Sequence, residues 1–268
     1  MQDITGYNER MASSILDKLF FMRLIDRNDI DTIVDFGCAN AELFRHLPYS
    51  WTKDGDAVIE HFDKPVDPGW NMVGIDNNEE MIRLAKENFP AGLYVSTFSD
   101  LPDISENTLL NISSTIHEIY SYCTLEEIDE FWNNVFGLGF RYISIRDMMT
   151  AVKSDRPMSE EEARILKEYN RNDPRKMHND FRRCWPEMRV RDMLHFMQKN
   201  RYVDNWDREC QENYFPITVE YLLSLVPENY EIVYLNAYCL EYVKNRILED
   251  FGYEVKDPTH IQLLLRRK

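Results

Sequence analysis

The chain has 268 residues, 44% of them hydrophobic and 13% aromatic, enough to bury a full core and suited to one large domain with an insertion. Its formal net charge of −16 would, if evenly spread, oppose binding to nucleic acid. Five cysteines without a C-x-x-C pair, no signal-peptide-like start and no apolar run of ~20 residues argue against a zinc or other metal site and a membrane span; they predict free thiols in a cytoplasmic protein.

Taken in order, Ser13 to Arg27 spaces Ile15, Leu16, Leu19, Phe20, Met22, Leu24 and Ile25 at near-helical intervals and predicts an amphipathic helix. Thr32 to Val34 is a short strand ending in Asp35, followed by the turn Gly37-Cys38-Ala39-Asn40 and a helix over Ala41 to Leu47. Such a unit points backbone N–H groups and a helix dipole at a ligand's polar end. Tyr49 to Trp70 carries three turn signals, with one short edge strand expected over Ala57 to Phe62. Asn71 to Asp76 is a second strand, whose terminal acid is placed to accept hydrogen bonds from the two hydroxyls of a ribose. Glu79 to Asn88 is the helix behind it, capped by Asn77 or Asn78.

These residues resemble the class I S-adenosylmethionine-dependent methyltransferases, over roughly Ile30 to Met148 and again from Glu231 to Lys268. The resemblance implies a Rossmann-like α/β fold, with a seven-stranded, mostly parallel sheet of order 3-2-1-4-5-7-6. It implies S-adenosyl-L-methionine as cofactor, its methionine part at the first turn and its ribose at the acid after the second strand. The implied cofactor shell is Asp35, Gly37, Cys38, Ala39 and Asn40, then Asp76 and Asn77, Thr97 and Phe98, and Ser113 and Ser114. Leading helices of this family often close over the cofactor, which would bring Tyr7 to it; Tyr7 as a surface aromatic on the terminus is the other reading. The family's second glycine, and often its third, are Ala39 and Ala41 here, and Asn40 is the neighbour that best tolerates the left-handed region. A nicotinamide dinucleotide is disfavoured, because the G-x-G-x-x-G that approaches a pyrophosphate is missing.

Further strands are predicted over Leu93 to Ser96, Leu109 to Ser114 and Tyr142 to Ile145, the last ending at Arg146 and Asp147. Thr124 to Phe136 is a helix opened by a Thr124/Glu127 capping box. From Thr150 to about Val226 helices dominate, over Ser159 to Asn170, Met188 to Lys199 and Thr218 to Leu225. Between Arg164 and Arg201 this insertion holds eleven basic residues, among them Arg171, Arg175, Lys176, Arg182 and Arg183, against five acidic ones. That excess is either the footprint of an anionic partner or a solvated helix face. Glu231 to Leu235, a helix at Tyr242 to Asp250, and His260 to Leu265 complete the sheet. The implied organisation is a cofactor-binding core over 1–150, a helical insertion or lid over 151–226, and the last helix and strand hairpin over 227–268.

Ligands bind at the carboxyl ends of parallel strands, where His117 and Glu118 follow the fourth strand and Arg146 and Asp147 end the fifth. These four are the candidate catalytic residues. His117 would take a proton near neutral pH, with Glu118 orienting it or gripping an acceptor amine; both as structural groups at a helix start is the competing reading. Arg146 and Asp147 either serve the site or pair with each other. Tyr122, Trp206, Tyr214 and Tyr238 are the candidate acceptor contacts; Trp206 and Phe215 as anchors of the insertion to the core is the competing reading. The sequence thus predicts methyl transfer to an anionic, ring-bearing acceptor such as a nucleotide, RNA or DNA. A cytosolic small metabolite as acceptor, or a non-catalytic scaffold that binds the cofactor, are the alternatives.

Overall fold

The computed structural model describes residues 15–47, 69–172, 187–202 and 206–268. Tyr7 and the edge strand expected over Ala57 to Phe62 lie outside them. Seven strands form one sheet: β1 (Thr32–Phe36), β2 (Asn71–Ile75), β3 (Leu93–Val95), β4 (Thr108–Ser113), β5 (Tyr142–Met148), β6 (Tyr230–Tyr238) and β7 (His260–Arg267). Their order is β3-β2-β1-β4-β5-β7-β6. The first five run parallel, and β7 enters antiparallel between β5 and β6. This is the order and the antiparallel closing strand that the resemblance implies. The interior strands β1 and β4 are buried along nearly their whole length because both faces are covered.

One face is covered by α4 (Ile116–Tyr122), α5 (Leu125–Gly137) and α9 (Val219–Leu225), packed on Val34, Leu110, Ile112, Ile143 and Leu263. The predicted capping box at Thr124 opens α5: the Thr124 amide donates to Glu127 Oε2 at 2.7 Å and the Glu127 amide to Thr124 Oγ1 at 3.3 Å. The other face carries α1 (Ile15–Lys18), α2 (Glu42–His46) and α3 (Glu79–Asn88) over Ile33, Met72, Leu109, Tyr142 and Leu264. Asn78 caps α3, taking the amides of Glu80 and Met81 at 3.0 and 3.2 Å.

The long helix expected over Ser13 to Arg27 is broken. After α1 the chain forms two 3-10 turns, Phe20–Arg23 and Arg27–Asp29. Phe20, Phe21 and Met22 are all buried, and three consecutive buried side chains need more than one helical face. The fifth strand also runs on past Ile145, since β7 pairs Arg146 with Gln262, Asp147 with Ile261 and Met148 with His260. Arg146 and Asp147 therefore point to opposite faces of the sheet.

The insertion adds α6 (Glu160–Asn172), α7 (Val190–Lys199) and α8 (Trp206–Gln211), the last between the helices expected over Met188 to Lys199 and Thr218 to Leu225. Leu166, Val190, Met193, Leu194, Phe196, Met197 and Phe215 form a third apolar cluster with Val243, Ile247 and Phe251 of α10 (Glu241–Phe251). The expectation of five free thiols is corrected at Cys210, which is disulfide-bonded; Cys38, Cys123 and Cys239 are free, and Cys184 lies outside the described residues. Spacing along the chain could not show it, because pairing depends on distances in the folded molecule. No described helix is long and apolar enough to cross a membrane.

Candidate active site at the carboxyl edge of the sheet

Strand order reverses between β1 and β4, so the loops leaving these strands diverge and open a crevice at the carboxyl edge. The loop after β1 is drawn tight against β2, with the amides of Gly37 and Cys38 donating to the Ile75 carbonyl at 2.8 and 3.0 Å. Gly37 has φ +75°, and a Cβ there would meet Thr115 Oγ1 at 2.3 Å. Only glycine lets this turn pack beneath the start of α4. The other left-handed positions in this loop are Ala39 (φ 45°) and Ala41 (φ 61°). Asn40, the neighbour that best tolerates that region, does not occupy it. Each alanine there costs about 1 to 2 kcal/mol.

Asp76, immediately after β2, closes this loop. Its Oδ2 accepts from the Ala39 amide and its Oδ1 from the Asn78 amide, both at 2.9 Å. The carboxylate is part-exposed and keeps lone pairs for a ligand. Asn77 is exposed beside it. Thr97 starts a 3-10 turn with Asp100, whose Oδ2 accepts from the Thr97 amide and hydroxyl at 3.1 and 2.8 Å. Phe98 is buried, stacked on Phe36 with centroids 4.8 Å apart.

Asp35 lies within β1, two residues before the turn, in a register row with Gly74, Asn111 and Ser144. It is buried, and the Asn111 amide donates to it at 2.7 Å. Burial pushes its carboxyl up to about 6 against the opposing pull of Asn111 and Lys18. Lys18 of α1 is likewise buried, and burial, together with Arg146, brings its ammonium down to about 8. Asn111 Oδ1, Ser113 Oγ and Ser144 Oγ are buried without a hydrogen-bond partner among the described residues. This sheet face thus turns from apolar to polar as it approaches the edge.

Around Arg146 the structure brings together distant groups. Its Nε donates to Asp17 Oδ2 at 2.6 Å and its Nη1 to Ser114 Oγ at 3.0 Å. Tyr238 and Gln262 also donate to Asp17, at 2.7 and 3.0 Å. Arg146 does not pair with Asp147.

On the opposite face Asp147 fixes the start of α4. Its Oδ2 accepts from the amides of Thr115 and Ile116 at 2.8 and 2.6 Å, and its Oδ1 lies 2.7 Å from His117 Nδ1. His117 Nε2 lies 3.0 Å from Glu212 Oε1, just past α8. Burial alone would lower the imidazole's pKa, but the Asp147 charge and the hydrogen bonds to both carboxylates outweigh it and push it up to about 9. Burial likewise works against the ionised form of Asp147, yet His117 and the backbone amides hold its carboxyl below the usual range. His117 is thus an imidazolium clamped between carboxylates near neutral pH. Glu118 beside it makes no hydrogen bond or ion pair to a described residue, and partial burial pushes its carboxyl up.

The chain continues from Glu212 into Lys199, which is fully buried and donates to the carbonyls of Glu209 and Glu212 at 2.6 and 2.5 Å. Its ammonium sits 3.9 Å above the Tyr214 ring, and Tyr214 stacks on His195 with centroids 5.1 Å apart. Trp206 packs edge-on against Phe196 at 6.1 Å. Tyr122 is exposed and bonded to Arg208. Of the candidate acceptor contacts, Tyr122 alone is exposed to solvent. Asp17, Lys18, Asn111 and Lys199 were missed by the sequence reading; nothing in their local sequence sets them apart from ordinary helix or strand residues.

The basic insertion divides in two. Arg175, Lys176, Arg182 and Arg183, and the side chain of Arg171, lie outside the described residues. Of the rest, Arg164 and Lys167 are exposed, Arg164 lying 3.9 Å from Glu161; Arg189 pairs with Asp155, Arg191 with Asp155 and Glu187, Arg201 with Glu249 and Asp250, and Lys199 is buried on Glu209 and Glu212.

No family model matches the sequence, and neither does any curated protein. Solved structures similar to this chain include the plantazolicin methyltransferase BamL, in complex with a triazolic desmethylPZN analog and SAH, with 12% identity over 98% of this chain and 88% of that one and a TM-score of 0.48. The MccD protein shares 12% identity over 97% of this chain and 98% of its own, with a TM-score of 0.46. A SAM-dependent methyltransferase from Anabaena variabilis shares 10% over 95% and 83%, with a TM-score of 0.49. Likenesses of this order assign no role to any side chain.

Proposed function

We propose that the chain is an S-adenosylmethionine-dependent methyltransferase. The observation that carries this reading is the link between two strand tips at the order reversal: Asp76, after β2, holds the Ala39 amide of the loop after β1, with Asp35 buried two residues before that loop. The donor set suits an adenosyl amino acid. Asp76 offers a rim carboxylate for two ribose hydroxyls, and Asp35 a buried one for an ammonium, beside the unpartnered Asn111 Oδ1 and Ser113 Oγ. When bound, this cofactor supplies an electrophilic methyl group on a sulfonium.

The chain's own contribution is to hold the acceptor in line, which supplies most of the assistance such a displacement needs. Asp147 and Glu212 fix the His117 ring from both nitrogens, so His117 and Asp147 position the start of α4. Contact with the acceptor falls to Glu118, whose carboxylate has no described partner, and Tyr122 is exposed on the same helix. Arg146 positions Ser114 and Asp17 beneath the crevice. Among the described residues, the ion-paired state of Arg189, Arg191 and Arg201 supports a small acceptor, because paired bases release few counterions.

Calorimetry with S-adenosylmethionine and with NAD tests the cofactor; binding of NAD alone overturns the assignment. Radiolabelled methyl transfer in a metabolite extract tests turnover against a non-catalytic scaffold. RNA binding followed across a salt series separates the acceptors, and a steep fall with salt would restore the nucleic-acid reading.

A further inference from the structure

We propose that His117, Glu118 and Glu212 bind one divalent transition-metal ion of the Mn2+ or Zn2+ class. Each offers a ligand atom, and these atoms lie within 4.8 Å of one another. The imidazole and one carboxylate come from α4; the second carboxylate comes from the residue just past α8, in the insertion.

Three features fit an ion. Asp147 holds His117 Nδ1 at 2.7 Å and is itself fixed by the amides of Thr115, Ile116 and Met148. This fixes the ring's orientation and presents Nε2 to the two glutamates, as a carboxylate behind a metal-bound histidine does. Glu118 is a carboxylate at the rim without a described hydrogen-bond partner, beside the buried His117 and Glu212. Charge supplies the third feature. Asp147, Glu118, Glu209 and Glu212 bring four carboxylates into one cluster, against Lys199 and Arg208 beside the glutamates and Lys18 acting on Asp147. A dication suits this carboxylate excess and would take the place between His117 Nε2 and Glu212 now bridged by a hydrogen bond.

A nitrogen ligand with two carboxylates and no thiolate suits Mn2+ or Zn2+ better than Ca2+ or Mg2+. Three protein ligands leave positions open to solvent or to an acceptor oxygen. That last use rests on the transferase reading, and Glu118 would then contact the acceptor through the ion; the binding itself does not rest on it.

The test uses the full chain freed of metal by chelation and dialysis, titrated calorimetrically with MnCl2 and with ZnCl2, then loaded with Co2+ for its visible d–d spectrum. One ion per chain is expected for at least one metal. Glu118→Gln and Glu212→Gln should each weaken binding more than tenfold, and Asp147→Asn by about 10- to 100-fold; the Co2+ bands should shift in Glu118→Gln. Glu118→Gln disturbs no described contact, so it keeps the test open if Glu212→Gln unfolds. Absence of binding, or equal binding by wild type and Glu118→Gln, overturns the proposal. S-adenosylmethionine calorimetry on the chelated protein runs alongside. Cofactor binding without metal binding sinks only the metal site, and metal binding without cofactor binding sinks only the transferase.

Discussion

Replacing Asp35 with Asn separates the demands of folding from those of ligand binding. The wild-type carboxyl titrates at about 6 in the folded chain, against an ordinary value of 3.8, chiefly because it is buried. A carboxyl raised by folding binds its proton more tightly in the native state, so it favours folding below about pH 4. That contribution is lost as pH rises from 3.8 through 6. The two-unit rise corresponds to roughly 3 kcal/mol at neutral pH. That figure already contains the attraction of Lys18 and the repulsion of Asp76, and burial of the new polar amide offsets part of it. The new amide also has an acceptor at hand in Asn111 Oδ1, which has no partner in the wild type. The expected net gain is about 1 to 2 kcal/mol at pH 7.5, with no difference near pH 4. Urea unfolding of both proteins across that range reads it directly. A variant less stable at pH 7.5, or a difference that does not change with pH, would refute the account of Asp35 as a carboxylate held at a cost to folding. The same substitution should weaken S-adenosylmethionine at least tenfold, the usual exchange of stability for a binding group.

Asp76→Ala leaves the Ala39 and Asn78 amides without their acceptor; it should cost about 1 to 3 kcal/mol in urea unfolding and abolish cofactor binding by calorimetry. Ala39→Gly relieves a left-handed alanine, so thermal unfolding should shift upward by the equivalent of about 0.5 to 1 kcal/mol, with cofactor affinity retained. Thr124→Ala removes the cap of α5 and should cost about 1 kcal/mol while leaving cofactor binding unchanged, a control that separates global stability from the site.

The strand-turn-helix from Thr32 to His46 and the acid after β2 could be read from the chain because they are local: a short apolar run, a glycine where φ is positive, and an acid two residues before a helix cap. The capping box at Thr124 was legible for the same reason. The setting of the candidate site was not. His117 finds Glu212 across 95 positions and Arg146 finds Asp17 across 129, and periodicity carries no information about such pairings. The pairing Arg146 with Asp147 looked natural in sequence, yet alternation along an extended strand sends neighbours to opposite faces. Helix α8 is only six residues long, WDRECQ, with three charged residues among them, too short for a periodic pattern to stand out. Ala39 and Ala41 show the limit of residue preference: packing of the loop beneath Asp76 and Thr115 decided which positions became left-handed.

The order in which the pieces are threaded has a consequence for biosynthesis. Residues 241–251 complete the apolar cluster of the insertion, and β7 fills the gap between β5 and β6. A chain still emerging from the ribosome therefore holds α6 and α7 with an uncovered apolar flank until residues 241–251 appear, and β5 as a bare edge until residues 260–267 follow. Stopping translation short of residue 260 should give a chaperone client instead of a smaller working protein.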